Sequence, residues 1–268
     1  SWAIAGRNES KLKEVRQSLQ GSSPDTPLPL LVADNHDRES LEALAAKTRV
    51  ICSTVGPYAQ HGTTLVEVCA ETGTHYCDLT GEVHWIARTI AAFQERAAES
   101  GARIVHSCGF DSIPSDLGNW FVQRAMREQH GATANRVPGR VGKTRGGASG
   151  GTIVSLMGVL EEAQRDPALR AKLRDKYLLY PVGETPGPEV RDQAGARFDP
   201  RFERWTAPFV MALINERVVR RSNALLGFPW GREFNYDESM LCRSRGEALL
   251  ISGGLGLLTY AWRRKRTA

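Results

Sequence analysis

Short apolar runs alternate with amphipathic stretches through the first hundred residues. Trp2-Ala3-Ile4-Ala5 predicts a strand ending at Gly6-Arg7. Leu12, Val15 and Leu19 then recur at helical spacing, with Asn8 or Ser10 in the capping position. Leu30 to Ala33 predicts a second strand ending at Asp34, and residues 38–48 a helix carrying Leu41 and Leu44 inward. Val50 to Val55 predicts a third strand, stopped by Gly56-Pro57. Its first half lacks polar alternation, as in a strand covered on both faces. The pattern repeats with a helix over 62–72, a strand over 75–79 and a helix over 83–99 that has Ile86, Ile90 and Phe93 on one stripe. A strand over 102–106 and a helix beginning near Pro114 follow. Such alternation predicts right-handed crossovers and a doubly wound, mostly parallel α/β sheet.

The second half changes character. Arg136 to Thr152 is rich in Gly and Arg, and Gly146 to Thr152 lacks the Lys-Ser/Thr ending of a P-loop. It reads as a turn before a helix at 153–164. Residues 181–200 read as a loop, and Pro208 to Val219 returns to apolar sequence. Ala248 to Trp262 is 15 residues without a charge, followed by Arg263-Arg264-Lys265-Arg266. A bilayer-spanning helix needs about 17–25 such residues. Gly253, Gly254 and Gly256 weaken a helix there. Two readings stand: a core segment, or an interfacial segment anchored by Trp262 and the arginines. The expected organisation is a Rossmann-type unit at 1–118, an α+β unit at 119–247 and an apolar segment with a basic tail at 248–268.

Composition narrows the class. The chain has 268 residues, 41% hydrophobic and 24% charged, enough for a packed core and unlike a disordered chain. Its five cysteines form no C-x-x-C pair, and their odd number argues against a closed disulfide framework. A reducing, cytosol-facing location follows, and no secretory signal opens the sequence. Residues 1–120 hold 10 Lys+Arg and 15 Asp+Glu, and residues 121–268 hold 25 and 15, so −5 and +10 make the net +5. The acidic first half argues against nucleic acid as partner. The basic second half suits phosphates or acidic lipids, or is an ordinary solvated face. No metal-ligand pattern is present.

Ligands of open α/β sheets bind beyond the carboxyl ends of the strands. No G-x-G-x-x-G occurs near the start; the chain opens on a strand ending in Gly6-Arg7. The second strand of an NADP-binding sheet ends so, its Arg accommodating the 2′-phosphate. With Ser1 in place of Met, this suggests an N-terminally truncated sheet; an ordinary surface arginine is the alternative. Gly6, Arg7, Asn8, Asp34, Thr54, Val55, Gly56 and Pro57 make the expected cofactor-binding set. Gly56 permits close backbone approach. Tyr58 either donates a proton or packs. Asp78 and Glu82 end the next strand, where helix capping serves as well as acid–base work. Asp111 or Ser112 can cap the helix near Pro114. A Ser-His-Asp set drawn from Ser112, His106 and Asp111 lacks the G-x-S-x-G elbow.

Ala5-Gly6-Arg7, Val55-Gly56-Pro57-Tyr58, Thr74 to Glu82 and Cys108 to Asp116 together resemble the saccharopine dehydrogenase-like oxidoreductase family, in its trans-acting enoyl reductase branch. Ser149-Gly150-Gly151-Thr152 and Arg217 to Ser222 resemble the same branch, and the likeness covers nearly the whole chain. The family's opening strand with a G-A-T-G-F-T-G turn is missing here, as is its segment after the apolar run. The resemblance implies a Rossmann-type NADP-binding domain followed by an α+β domain. It implies a reductase role in lipid or glycolipid metabolism and contact with membranes or lipid droplets. A cytoplasmic protein, peripheral at the plasma membrane or a lipid droplet, with NADP as cofactor and a lipid-linked substrate is expected. A non-catalytic lipid-associated scaffold is the rival. The resemblance assigns no catalytic residue; Tyr58 and Asp111 are candidates from the residues themselves.

Overall fold

The computed structural model describes residues 2–20, 28–142, 158–159 and 161–264, the side chains of Gln20 and 255–264 excepted. The Gly-rich run 146–152, most of the first turns expected at 153–164, and Lys265-Arg266 lie outside the described residues. The chain divides into two compact units, residues 1–108 with 154–159, and residues 109–153 with 160–268. The division falls ahead of the boundary expected at 118, and the apolar tail belongs to the second unit.

In the first unit, β1 (Ile4–Gly6) pairs in parallel with β2 (Leu30–Val32), and α1 (Glu9–Gln20) connects them. Asn8 Oδ1 accepts the Lys11 N–H at 3.0 Å and starts α1. Only Leu12 of the expected stripe reaches the core; Val15 and Leu19 are exposed. Asp37 caps α2 (Arg38–Ala45), its side chain accepting from Glu39 and Ser40. Then come β3 (Val50–Ser53), α3 (Tyr58–His61), α4 (Thr63–Thr72), β4 (His75–Asp78), α5 (Val83–Ser100) and β5 (Ile104–Val105). These strands form a parallel sheet in the order β3-β4-β5. Helix α4 packs between α2 and α5, burying Leu65, Val66, Val68, Cys69, Ala70, Trp85 and Ile86. Gly73 and Gly101 end α4 and α5 in the left-handed region.

The third strand departs from its reading. Burial along β3 alternates, with Val50 and Cys52 exposed and Ser53 buried. In register, Cys52, Cys77 and Val105 form one row on the open face, and Ile51, Tyr76 and Ile104 one row on the covered face. The uninterrupted apolar run therefore belongs to a strand covered on one side. Lack of polar alternation reports what residues tolerate burial, not that both faces are covered.

In the second unit, α6 (Ile113–His130) leads to β6 (Arg136–Val141), α7 (Pro167–Arg174), β7 (Arg197–Asp199), β8 (Arg204–Ala207), α8 (Ala212–Leu225), β9 (Asn235–Cys242) and α9 (Arg245–Arg264). The sheet order is β6-β9-β8-β7, parallel at β6-β9 and antiparallel elsewhere, which makes this an α+β unit. Helix α8 packs on β9. Val219, Trp230, Phe234 and Tyr236 form one core cluster, and Ala207, Cys242 and Ala248 another. The tail is a continuous helix despite Gly253, Gly254 and Gly256. Its first turns belong to the core through Ala248, whereas Leu249 and Leu250 are exposed.

Candidate dinucleotide site

At the carboxyl end of β1, Gly6 lies against Leu12, whose Cδ2 would be 3.4 Å from a Cβ there. The strand tip and α1 are thus close together. Arg7 and Asn8 follow, both exposed. Asn8 is committed to capping α1. Arg7 forms no ion pair among the described residues, so its guanidinium is available to an anion. At the end of β2, Asp34 shapes a turn. Its Oδ1 accepts the His36 N–H at 3.0 Å, and its own N–H donates to Ser40 Oγ at 3.0 Å.

The tip of β3 is open backbone on a rigid support. Thr54, Val55 and Gly56 are exposed, and Pro57 is half-buried. Ser53 Oγ accepts the Val55 N–H at 3.4 Å. Beneath the turn, the Tyr58 hydroxyl donates to Ser53 O at 3.1 Å and accepts the Leu79 N–H at 3.3 Å. The Tyr58 ring lies 5.6 Å from that of Trp85. Burial pushes the phenol up to about 12. Both carboxylate oxygens of buried Glu82 accept backbone N–H groups, Tyr58 and Ala59, each at 2.8 Å. Glu82 therefore caps α3 from 23 or 24 residues away, satisfying donors that a helix start leaves open.

Asp78, fully buried at the end of β4, ties the next strand end to its own. Its Oδ1 accepts Thr80 N–H at 3.1 Å and Ser107 N–H at 3.0 Å, and its Oδ2 lies 2.7 Å from His106 Nδ1. Thr89 Oγ1 lies 3.2 Å from His106 Nε2. Ser107 sits at φ 58, held there by Asp78 and by its own hydroxyl donating to Thr80 O at 2.8 Å. A non-glycine residue at positive φ needs such support.

Asp111 and Ser112 belong to the second unit. Asp111 is exposed, and its carbonyl accepts Asn215 Nδ2 at 2.9 Å. Ser112 stands at the N-cap of α6 without a side-chain capping bond. The carboxylate bonded to His106 is Asp78, a partner that no local sequence signal announces. No group of acidic, histidine and cysteine side chains fit to hold a metal occurs among the described residues.

An exposed arginine thus stands at the β1 tip and an exposed, small-residue turn at the β3 tip. Residues 1–105 match the family profile described as "Saccharopine dehydrogenase NADP binding domain". The match covers nearly all of the first unit. The saccharopine dehydrogenase NADP-binding domain accounts for the parallel sheet and for NADP as the family's cofactor, as expected from the sequence. Similarity runs further along the chain. A "Trans-acting enoyl reductase" of Mycobacterium ulcerans (strain Agy99) is 37% identical over 95% of this chain and 64% of its own length. One of Mycobacterium bovis (strain BCG / Pasteur 1173P2) is 37% identical over 95% of this chain and 62% of its own. A Mycobacterium tuberculosis (strain H37Rv) protein, provisionally named with the same activity, is 42% identical over 95% and 62%. The chain thus spans less than two thirds of the length of these relatives.

Proposed function

We propose that the chain carries the cofactor half and part of the substrate half of an NADPH-dependent reductase acting on the double bond of a lipid-linked enoyl compound. The observation that carries this reading is the free, exposed Arg7 at the carboxyl end of β1, in a unit whose family binds NADP. The names of the relatives supply the enoyl substrate class. NADPH, when bound, supplies the hydride; the protein supplies position and electrostatics. Arg7 holds the 2′-phosphate, with Asp34 beside it on the ribose. Thr54 to Pro57 present backbone to the nicotinamide end. Tyr58 keeps that turn in shape through Ser53 and Leu79 rather than delivering a proton, since its hydroxyl hydrogen already bonds Ser53 O. Exposed Asp111 is the candidate for contact with the substrate. The substrate is lipid-linked and the protein works at an acidic lipid surface in lipid or glycolipid metabolism; the basic second half supports both.

The test uses protein of the full length of the relatives. NADPH should bind in preference to NADH, and Arg7→Ala should raise the Kd for NADPH tenfold or more while leaving NADH within about twofold, one lost charge-assisted contact being about 1.5–3 kcal/mol. Equal losses for both cofactors would remove Arg7 from the 2′-phosphate. NADPH consumption with an enoyl thioester, lowered by Asp111→Asn at unchanged NADPH affinity, separates the enzyme from a lipid-associated scaffold, which consumes none.

A further inference from the structure

Three of the five free cysteines gather on the open face of β3-β4-β5. Cys52 and Cys77 are direct register partners on adjacent parallel strands. Cys108 follows β5, its thiol donating to Val105 O at 3.4 Å, and Val105 is the register partner of Cys77. Alternation along the strands turns Cys52 and Cys77 to the same face. The Cys52 thiol is close enough to act on the Cys77 thiol electrostatically. Cys52 is exposed, Cys77 and Cys108 are half-buried, and Cys69 is buried within α4. Adjacent strands lie about 4.7–4.9 Å apart, within the range of about 4.4–6.8 Å that Cα atoms span across a disulfide.

We propose that Cys52 and Cys77 are a peroxide-responsive dithiol that closes to a disulfide between β3 and β4. Cys52 is the point of entry, because it is exposed whereas Cys77 is half-buried. Its thiolate sulfur attacks one oxygen of a hydroperoxide, the O–O bond breaks, and a sulfenic acid and an alcohol or water are left. The Cys77 sulfur then attacks the Cys52 sulfur. The sulfenic hydroxyl leaves with the Cys77 proton as water, and the S–S bond forms. Two thiols are oxidised and one peroxide is reduced. Burial, and then the neighbouring Cys52 thiol, push the Cys77 thiol up to about 12, so the more exposed Cys52 is the thiol that meets the peroxide first.

Hydrogen peroxide acting on the chain, followed by thiol counting and peptide mapping, tests this. Cleavage after glutamates releases residues 43–67 with Cys52, 68–71 with Cys69 and 72–82 with Cys77. The expected result is loss of two of the five thiols, peptide 43–67 joined to 72–82, and both thiols recovered with dithiothreitol. Cys52→Ser should abolish the link, and Cys108→Ser should leave it. If Cys52→Ser does not fold, the map of the unchanged chain decides alone. Cys52 carried to sulfinic acid beside a free Cys77, a Cys52–Cys52 link between molecules, or a Cys77–Cys108 link would each overturn the assignment.

Discussion

Glu82 shows how a residue's work escapes its neighbourhood in sequence. Placed after Thr80-Gly81, it suggests a cap for the helix that follows; in the fold it caps α3 instead, through Tyr58 and Ala59. Nothing local announces this, because its partners belong to another β-α unit. Asp78 is similar, its two strongest partners coming from the loop after β5. Asp199, in the second unit, offers the clearest residue-scale test. Its Oδ2 accepts Arg140 Nε at 2.9 Å and Nη2 at 2.7 Å, both side chains being buried. Burial alone would raise this carboxyl; the Arg140 bonds, aided by the Arg201 N–H, outweigh it and hold the group below the usual carboxylate range. The folded-state value is thus depressed, so the stabilisation is present above the unfolded value near 4 and disappears as pH falls through the folded one. Asp199→Asn should cost about 3 kcal/mol at neutral pH, the lower end for a broken buried pair, because Arg140 keeps Asp237 at 2.8 Å. The gap in denaturant midpoint between parent and variant should hold from pH 7 down to about 4 and narrow progressively below it; a gap that stays constant through the acid range would refute the ion-pair account.

At the scale of elements, two glycines with ordinary φ separate packing from propensity. A Cβ on Gly62, where α3 meets α4, would lie 2.8 Å from Trp85 Cζ2 and 2.9 Å from Tyr58 O. The indole is immobile there, its Nε1 donating to Thr63 Oγ1 at 3.0 Å. A Cβ on Gly118, within α6, would meet nothing within 4 Å. Gly62→Ala should therefore destabilise by about 1–3 kcal/mol through overpacking, and Gly118→Ala should stabilise by about 0.5–1 kcal/mol through helix propensity. Thermal or urea unfolding of the two variants should give shifts of opposite sign. The elements themselves were readable in the sequence where periodicity and punctuation agreed: the Gly73 and Gly101 ends of α4 and α5 were set by glycines, and the crossovers by strand–helix alternation. Covering was not readable. On α6, Asn119 and Gln123 are buried whereas Leu117, Trp120 and Phe121 are exposed. The polar side is held inward because Asp116 bonds Ser222 at 2.9 Å and Gln123 bonds the Ala134 backbone. Likewise, the sequence showed five scattered cysteines, and only strand register brings Cys52 beside Cys77.

Across the whole molecule, positive charge is biased toward the second half of the chain. Residues 121–268 hold 25 Lys+Arg against 15 Asp+Glu, and α9 runs directly into the run Arg263-Arg264-Lys265-Arg266. No helix among the described residues is long and apolar enough to cross a membrane. The lipid contact proposed above would be peripheral, each basic residue near an anionic surface contributing about 1 kcal/mol. Removing the tail would be a poor test, because Ala248 packs with Ala207 and Cys242 and its loss would disturb the second unit. Replacing Arg263, Arg264, Lys265 and Arg266 with glutamine removes the charge and leaves that contact intact. The unchanged chain should sediment with vesicles rich in phosphatidylserine, and far less with phosphatidylcholine alone. Salt raised from about 0.1 M to 1 M should release it, as the screening length drops from about 10 Å to about 3 Å. The four-glutamine variant should sediment with anionic vesicles only as well as the parent does with neutral ones. Undiminished sedimentation of that variant would move the lipid contact away from the tail and onto the remaining basic surface of the second unit.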